Sequence, residues 1–265
     1  MGNDSGEVTR LGIVSDIHGN VCALQGFLDE FNKREVDGVV VLGDLVRIAY
    51  DDERKTYGEM REVLRPIIET GKQVLAIPGN YEPKNVYEKI VKEFSQEFDN
   101  FYDLENNPAK KVGDVSIVGV GGVYNKYITC KGGFVAGVKE YDRFEDKIRD
   151  CVGEDVVLVA SHEPKRYKTK EGLDYLNGRN VGSKDLARVC ENYSVLLSVS
   201  GHLHDNKGIV DSDSGEKIEE GSYSDGLDFS VGAVCGSLIP ELKPSAGVLE
   251  FCCESARVYF LEGEL

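Results

Sequence analysis

The sequence contains four histidines, and each follows a short apolar segment, as do two aspartates and one asparagine. The seven residues are Asp16, His18, Asp44, Asn80, His162, His202 and His204. Imidazole, carboxylate and amide groups without thiolate suit divalent manganese, iron, nickel, cobalt or zinc in an open catalytic site. Seven donors are too many for one ion, so the residue types predict two divalent metal ions about 3.5–4 Å apart that share a carboxylate.

A metal pair of this kind withdraws charge from a water between the ions and neutralises the oxygens of a bound phosphate. The expected chemistry is therefore hydrolysis of a phosphate ester. Taken singly, an Asp-x-His after a strand is typical of a helix cap, and Gly-Asp or Gly-Asn is typical of a turn. Because all four histidines share one kind of position, we interpret the set as a metal site.

Five short apolar segments, rich in β-branched residues, precede these polar residues. They span residues 9–15, 38–43, 73–78, 155–160 and 195–200. Nearly continuous apolar runs of this length predict strands that are covered on both faces. Apolar residues with a 3.6-residue period between the first three segments predict helices, and the alternation predicts parallel crossovers. Ligands bind outside the carboxyl ends of such strands, so the seven side chains should converge.

The second half of the chain has a different pattern. Residues 110–123 alternate like an antiparallel strand, and residues 207–262 contain short strand-like segments separated by glycine turns. A second sheet packed on the first is expected. The sequence contains no linker or internal repeat, so we expect an α/β fold with residues 1–265 as a single domain.

The amino-acid composition limits the kinds of molecule that the protein is expected to bind. The formal charge of −16 disfavours a nucleic-acid polymer, although a small anionic phosphate ester can still bind at a locally positive metal site. The sequence has neither a run of about 20 apolar residues nor a recognisable signal peptide, so we expect no membrane association. We predict a cytoplasmic protein. The seven cysteines are interpreted as free thiols, mostly buried, and the formation of a homo-oligomer stays open.

The ordered motifs resemble the calcineurin-like metallophosphoesterase superfamily over residues 11–205. They are Asp16-x-His18, Gly43-Asp44, Gly79-Asn80, His162 and Gly201-His202-x-His204. The segment GHLHDNKGI, followed later by Gly236-Ser237, is most similar to the small prokaryotic Icc-related phosphoesterases and phosphodiesterases. The resemblance implies a four-layer αββα sandwich of two mixed β-sheets.

The resemblance also implies a role for each site residue. Asp16, His18 and His204 would hold one metal, Asn80, His162 and His202 the other, and Asp44 would bridge them. A metal-bridging hydroxide would attack phosphorus in line, with Asn80 near a phosphate oxygen. Asn20 and Asp205 are expected to support the ligands, although an N-cap of the next helix explains Asn20 equally well.

One position departs from the family pattern. Many members have Gly-Asn-His-Asp/Glu, whereas this chain has Gly79-Asn80-Tyr81-Glu82. The family's histidine protonates the leaving group; a tyrosine hydroxyl, with an ordinary pKa of about 10, can donate a proton or hydrogen bond but is less well matched. Our hypothesis is that Tyr81, with Asn80 and His162, acts in catalysis, and that diesters or good leaving groups are preferred. The alternative is that Tyr81 packs against a flanking loop.

The loop after His162 is basic. Its cations are Lys165, Arg166, Lys168 and Lys170, which either draw an anionic substrate toward the metals or are ordinary solvated residues. The leading functional hypothesis is a dinuclear metal-dependent phosphodiesterase of small substrates. A phosphomonoesterase with the same site and a catalytically weak binding or scaffold protein remain alternatives. A metal-dependent nuclease is disfavoured by the acidic charge.

Overall fold

The computed structural model describes residues 8–47, 52–107, 109–153, 156–170, 172–235, 243–252 and 254–263. The pair Gly236-Ser237, on which part of the Icc-related resemblance rests, lies outside these ranges. The helices are α1 (Val21–Lys33), α2 (Glu53–Ile68), α3 (Lys84–Glu97), α4 (Val138–Arg149) and α5 (Lys184–Asn192), with a 3-10 helix at Lys126–Ile128. None of the helices in the described ranges has both the length and the apolar composition needed to cross a membrane.

Within the described ranges, the strands form two large sheets and one small hairpin. In the first half of the chain they are β1 (Thr9–Val14), β2 (Gly38–Val41), β3 (Gln73–Ala76), β4 (Phe101–Asp103), β5 (Lys110–Val112), β6 (Val115–Val120) and β7 (Val156–Ser161). The others are β8 (Tyr175–Leu176), β9 (Arg179–Asn180), β10 (Leu197–Ser200), β11 (Gly208–Asp211), β12 (Leu227–Ser230), β13 (Ser245–Cys252) and β14 (Ser255–Glu262).

Both large sheets are mixed and have six strands. The first has the order β14-β13-β1-β2-β3-β4, and the second has the order β11-β12-β10-β7-β6-β5. Strands β1 to β4 are parallel, and β13 adds to β1 in the antiparallel direction. In the second sheet β6, β7, β10 and β12 are parallel, while β5 and β11 form antiparallel edges. Each sheet therefore presents several strand carboxyl ends at one edge.

The hydrophobic core explains why the parallel strands are apolar along their whole length. In β2, Val39 and Val41 pack among the residues of α1, α2 and α3, whereas Val40 faces the second sheet. On the other side of the molecule, Phe144 of α4 and Val189 of α5 pack against the second sheet. The layers follow the order helices, sheet, sheet, helices. The expected four-layer αββα sandwich is confirmed.

Candidate metal centre

The seven predicted site residues lie at one rim of the sandwich. Each lies in the loop that follows a parallel strand: Asp16 and His18 after β1, Asp44 after β2, Asn80 after β3, His162 after β7, and His202 and His204 after β10. Three of these loops belong to the first sheet and two to the second. The site is therefore formed where the carboxyl edges of the two sheets meet, as expected for α/β folds.

Among the residues that the structure describes, three groups of ligand atoms lie close enough together to hold a cation. They are Asp16, His18 and Asp44; Asp44, His162 and His202; and His18, His204 and Cys235. Within each group the ligand atoms lie within 4.8 Å of one another. Asp44 belongs to two groups, so a single carboxylate joins the two halves of the site.

Distances around Asp44 describe this junction. Asp44 Oδ2 lies 3.5 Å from His162 Nε2 and 3.7 Å from His18 Nε2. Asn80 Oδ1 lies 2.9 Å from His162 Nε2, and its Nδ2 donates to the carbonyl of Ile128 at 2.7 Å. The hydrogen bond to Ile128 holds the amide so that its oxygen faces the ligand cluster.

Asp16 organises the opposite half of the site. Its Oδ1 lies 3.1 Å from His204 Nε2 and 3.9 Å from His18 Nε2. Its other carboxylate oxygen accepts hydrogen bonds from Ser15 Oγ and from the backbone N–H of His202, the latter at 2.8 Å. Residues that are 186 positions apart in the sequence are thus joined directly.

Backbone carbonyls fix the orientation of two imidazoles. The Nδ1 atom of His18 donates to Val46 O at 2.9 Å, and that of His162 donates to Leu42 O at 2.6 Å. With Nδ1 used as a donor, Nε2 is the nitrogen that faces Asp44 in both rings. This is how proteins usually select the tautomer of a metal-binding histidine.

The loops that carry the donors adopt strained backbone conformations. Asp16, His18, Asp44 and His202 have φ angles of 51°, 45°, 51° and 63°. Residues other than glycine rarely adopt this left-handed region, which costs about 1–3 kcal/mol at each position. Such strain is held by the surrounding fold and is concentrated at functional sites.

Two glycines allow these loops to approach each other. A β-carbon at Gly201 would lie 2.6 Å from Asp16 Oδ2, and one at Gly79 would lie 2.8 Å from the Asp44 carboxyl carbon. Both separations are shorter than van der Waals contact. Larger residues at Gly79 or Gly201 would displace a predicted carboxylate ligand.

Glu82 is buried beneath the loops and binds their backbone. Its carboxylate accepts N–H groups from Gly79 at 2.6 Å, Leu45 at 2.7 Å and Asp44 at 3.0 Å. Burial and the nearby Asp44 charge raise the pKa of Glu82 to about 7. The family resemblance placed Glu82 in the Gly-Asn-x-Glu motif, but the sequence did not predict that Glu82 would hydrogen-bond the backbone of two loops.

The electrostatics of the cluster favour added positive charge. Burial disfavours ionisation of Asp16, yet the His204 hydrogen bond and neighbouring imidazoles hold its pKa below the ordinary range. Burial disfavours a charged His162, but the Asp44 carboxylate raises its pKa to about 10. Burial and the nearby His162 lower the pKa of His202 to about 4. Burial also disfavours a charged His204, but its hydrogen bond to Asp16 raises its pKa, so the carboxylates favour positive charge on two of the imidazoles.

These donors fit divalent cations. Asp16 and Asp44 are buried, and their ion-pair partners in the described residues are all histidines. Buried carboxylates without lysine or arginine partners require another source of positive charge. Cations can replace the protons that the imidazoles otherwise carry, since metal ligands must be deprotonated.

A cavity of about 950 Å³ opens beside the cluster. Its walls include Arg47, Tyr81 and Asp205, together with the apolar residues Ile128 and Leu176. The Tyr81 ring meets the His18 ring edge-on, with the ring centroids 5.2 Å apart. Tyr81 therefore borders both the ligand cluster and the cavity, although it also packs partly against the core of the first sheet.

The structure separates the two interpretations of Asn20. Its Oδ1 accepts the N–H of Ala23 at 3.1 Å, at the beginning of α1. This is an N-cap, and it satisfies one of the free donors of the first helical turn. The N-cap interpretation is confirmed, although Asn20 also lines the cavity.

Neither interpretation of the basic loop describes Lys165, which is not a solvated residue and is paired with a buried acid. Its side chain is 10% exposed, and its Nζ lies 2.6 Å from a carboxylate oxygen of the buried Asp228. Lys165 also donates to the carbonyl of Ser212 at 3.1 Å. Burying an ammonium requires such partners, so this lysine stabilises the loop instead of presenting a charge to solvent.

Sequence reasoning missed Cys235. The thiol is grouped with His18 and His204, and it lines the cavity. Burial and the Asp16 charge raise the pKa of the thiol to about 12. The available signal was an apolar segment, LDFSVGAV, that ends directly before this cysteine in the same way that the other segments end before their polar residues.

Comparison with known proteins agrees with this geometry. The calcineurin-like phosphoesterase family matches residues 9–206. No curated protein matches the chain. Among solved structures, TT1561 of Thermus thermophilus has a TM-score of 0.69 at 13% identity, covering 96% of this chain and 99% of that chain.

Two further solved structures have the same fold. A dimetal phosphatase from Danio rerio has a TM-score of 0.63 at 11% identity, with 97% of this chain and 99% of that chain covered. GAP50, the anchor in the inner membrane complex of Plasmodium, has a TM-score of 0.63 at 14% identity, with 97% and 86% covered. Because the family model matches most of its length, the chain belongs to the calcineurin-like phosphoesterase family. That family hydrolyses phosphate esters with divalent metals, and the clustered histidines and aspartates are this chain's candidate ligands.

Proposed function

We propose that this protein is a dinuclear metal-dependent phosphodiesterase that acts on small substrates. The observation that carries the proposal is the position of Asp44, whose carboxylate belongs both to the group with Asp16 and His18 and to the group with His162 and His202. A carboxylate shared by two donor groups is what a two-metal site requires. Bound cations would supply Lewis acidity, which lowers the pKa of a water molecule and neutralises phosphate charge.

The proposed ligand sets follow the resemblance. One cation would be held by Asp16, His18 and His204. The other cation would be held by Asn80, His162 and His202, and Asp44 would bind both cations. Supporting this division, Asp16 is paired with His204 at 3.1 Å and Asn80 with His162 at 2.9 Å. Manganese, iron, nickel, cobalt and zinc all suit nitrogen and oxygen donors of this kind.

Preference for diesters is supported by the cavity and by Tyr81. A volume of about 950 Å³ is far larger than a phosphate group, and its apolar wall suits organic substituents. Hydrolysis forms a bond from a water oxygen to phosphorus and breaks the bond to the leaving oxygen, which must then gain a proton. Tyr81, beside His18, is positioned to hydrogen-bond the substrate or donate that proton, while Asn80 contributes near the phosphate.

Two broader inferences accompany this function. We infer that residues 1–265 form one domain, since C-terminal β13 pairs with N-terminal β1 within the sheet that carries Asp16. The free thiols fit a reducing compartment such as the cytoplasm. The fold is shared with both a dimetal phosphatase and an anchor protein, so the function is argued from the site and not from the fold.

The test is a screen of purified protein against metals and model esters. Bis(p-nitrophenyl) phosphate and p-nitrophenyl phosphate would be compared with manganese, iron, cobalt, nickel and zinc, and the diester should have the higher kcat/KM. Asp44→Asn and His162→Ala should be inactive, whereas Glu88→Gln, an exposed position on α3, should match the unmodified protein. Faster monoester turnover would make the protein a phosphomonoesterase. Cation binding without turnover of either ester would make it a binding protein.

A further inference from the structure

The segment that carries Cys235 belongs to the same sheet edge as the histidine motif. It follows β12, and β12 pairs in parallel with β10, the strand that leads to His202 and His204. Parallel neighbours end at the same edge, so the two segments emerge side by side. Cys235 therefore extends the series of strand exits that supply the other donors.

Backbone hydrogen bonds fasten this segment to the first ligand loop. The N–H of Val234 donates to Ser15 O at 3.0 Å, and the N–H of Cys235 donates to Asp16 O at 3.1 Å. The side chain of Val234 is fully buried, and this burial helps to fix the position of the segment. The position of the thiol is thus set by the same residue, Asp16, whose carboxylate lies against His204.

Three donor atoms converge at this point. The sulfur of Cys235 and ring nitrogens of His18 and His204 all lie within 4.8 Å of one another. Asp16 Oδ1 lies 3.1 Å from His204 Nε2 and 3.9 Å from His18 Nε2, so an anionic oxygen neighbours two of these three donors. Imidazole, thiolate and carboxylate together form a donor set that zinc binds well.

We propose that Cys235 is a further ligand of the cation held by Asp16, His18 and His204. The proposal rests on the metal site of the proposed function. On binding, the thiol proton passes to solvent and a sulfur lone pair bonds to the cation. Thiolate favours zinc and cobalt over manganese or magnesium. The group formed by Asp44, His162 and His202 contains only nitrogen and oxygen donors, so the two metal positions should differ in metal preference.

Cobalt titration of the metal-free protein tests the ligand directly. Thiolate coordination to Co²⁺ gives a charge-transfer absorption band in the near ultraviolet, and the visible d–d bands report cobalt bound by any donors. The unmodified protein should develop both. C235S should retain the visible bands and lose the ultraviolet band, with its cobalt affinity at this position lowered at least about tenfold. C22S is the matched control, because Cys22 is an exposed thiol that lines the same cavity.

A second variant distinguishes loss of the thiolate ligand from misfolding of C235S. C235D offers an oxygen donor at the same position, so it should restore cobalt affinity without restoring the ultraviolet band. Cobalt binding by the unmodified protein without that band would overturn the thiolate ligand and leave the proposed function intact. An ultraviolet band that persists in C235S would also overturn the thiolate ligand and leave the proposed function intact. Failure of the unmodified protein to bind cobalt would overturn the thiolate ligand, and failure to bind any of the five metals would overturn the proposed function as well.

Discussion

Glu82 accepts the backbone N–H of Asp44 at 3.0 Å, although the two residues follow different strands and lie 38 positions apart. The same carboxylate holds Gly79, next to Asn80. One buried acid therefore fixes the relative position of two predicted ligands. In the family pattern this acid polarises a neighbouring histidine; here the neighbour is Tyr81, and the described contacts of Glu82 are with the backbone.

Replacing Glu82 with glutamine should loosen this arrangement. A glutamine NH₂ cannot accept an N–H, so buried donors on the loops after β2 or β3 would lose their acceptor, at a cost of about 1–3 kcal/mol. Metal affinity should fall about 10–100-fold because the ligands lose their support. Chemical unfolding and metal titration measure the two effects. Glu88→Gln on the exposed face of α3 is the control, and equal behaviour of both variants would refute this role.

Tyr81→Phe tests the contribution of the phenol to the reaction. The ring and its edge-on contact with His18 remain, so only the hydroxyl is removed. The kcat/KM for a diester should fall about tenfold, the equivalent of one hydrogen bond to the substrate. Tyr124→Phe, at a side chain that is 60% exposed, should have no effect. An unchanged diester rate in Tyr81→Phe would favour the packing interpretation.

Lys165 and Lys168 come from the same basic loop but should behave differently. Lys165→Met leaves the buried Asp228 without its cation, which should lower the free energy of unfolding by about 3–5 kcal/mol. Lys168 is 90% exposed and pairs with an exposed Glu191, so Lys168→Met should cost less than about 1 kcal/mol. The KM for a charged ester should be unchanged in both. A higher KM without a loss of stability in Lys165→Met would restore the steering hypothesis.

The strands that carry the site were predictable because their signal is local. Residues 38–43, for example, are apolar throughout, and β2 occupies Gly38–Val41 with Asp44 beyond its end. Convergence of the loops then followed from the geometry of parallel sheets. Helices α4 and α5 were not identified from periodicity. In α4, Tyr141, Phe144 and Ile148 have helical spacing, but the charged residues between them leave only a narrow apolar stripe.

Contacts between distant segments were beyond the reach of sequence patterns. Glu82 lies beside a ligand motif, but its acceptance of N–H groups from the loop after β2 depends on how two loops pack. Lys165 lies in a basic run, yet its partner Asp228 lies 63 positions away in β12. Cys235 was interpreted as an ordinary thiol because the parallel pairing of β12 with β10 has no signature in either strand.

A buried acid away from the metal centre should make stability depend on pH. Burial raises the pKa of Glu105 above its ordinary value of 4.5, and its carboxylate accepts the N–H of Gly121 at 2.7 Å. The unfolded chain then loses this proton at lower pH than the folded chain. The stabilising contribution is complete below the unfolded pKa and is lost as the pH rises through the folded pKa.

Glu105→Gln removes this titration while keeping an acceptor oxygen. Its free energy of unfolding, relative to that of the unmodified protein, should therefore increase as the pH rises above the ordinary glutamate pKa of 4.5. Urea unfolding of the metal-free proteins at a series of pH values measures the difference. The same comparison for Glu88→Gln should be flat. A flat profile for Glu105→Gln would mean that folding does not raise the pKa of Glu105.

The central claim is that seven side chains from five loops hold a pair of cations. Metal analysis of the reconstituted protein, after removal of loosely bound ions, tests it most directly. We expect about two equivalents per chain for the unmodified protein and fewer for Asp44→Asn, since that residue joins both donor groups. Retention of no cation under any reconstitution condition, or of the same amount in Asp44→Asn, would contradict the account.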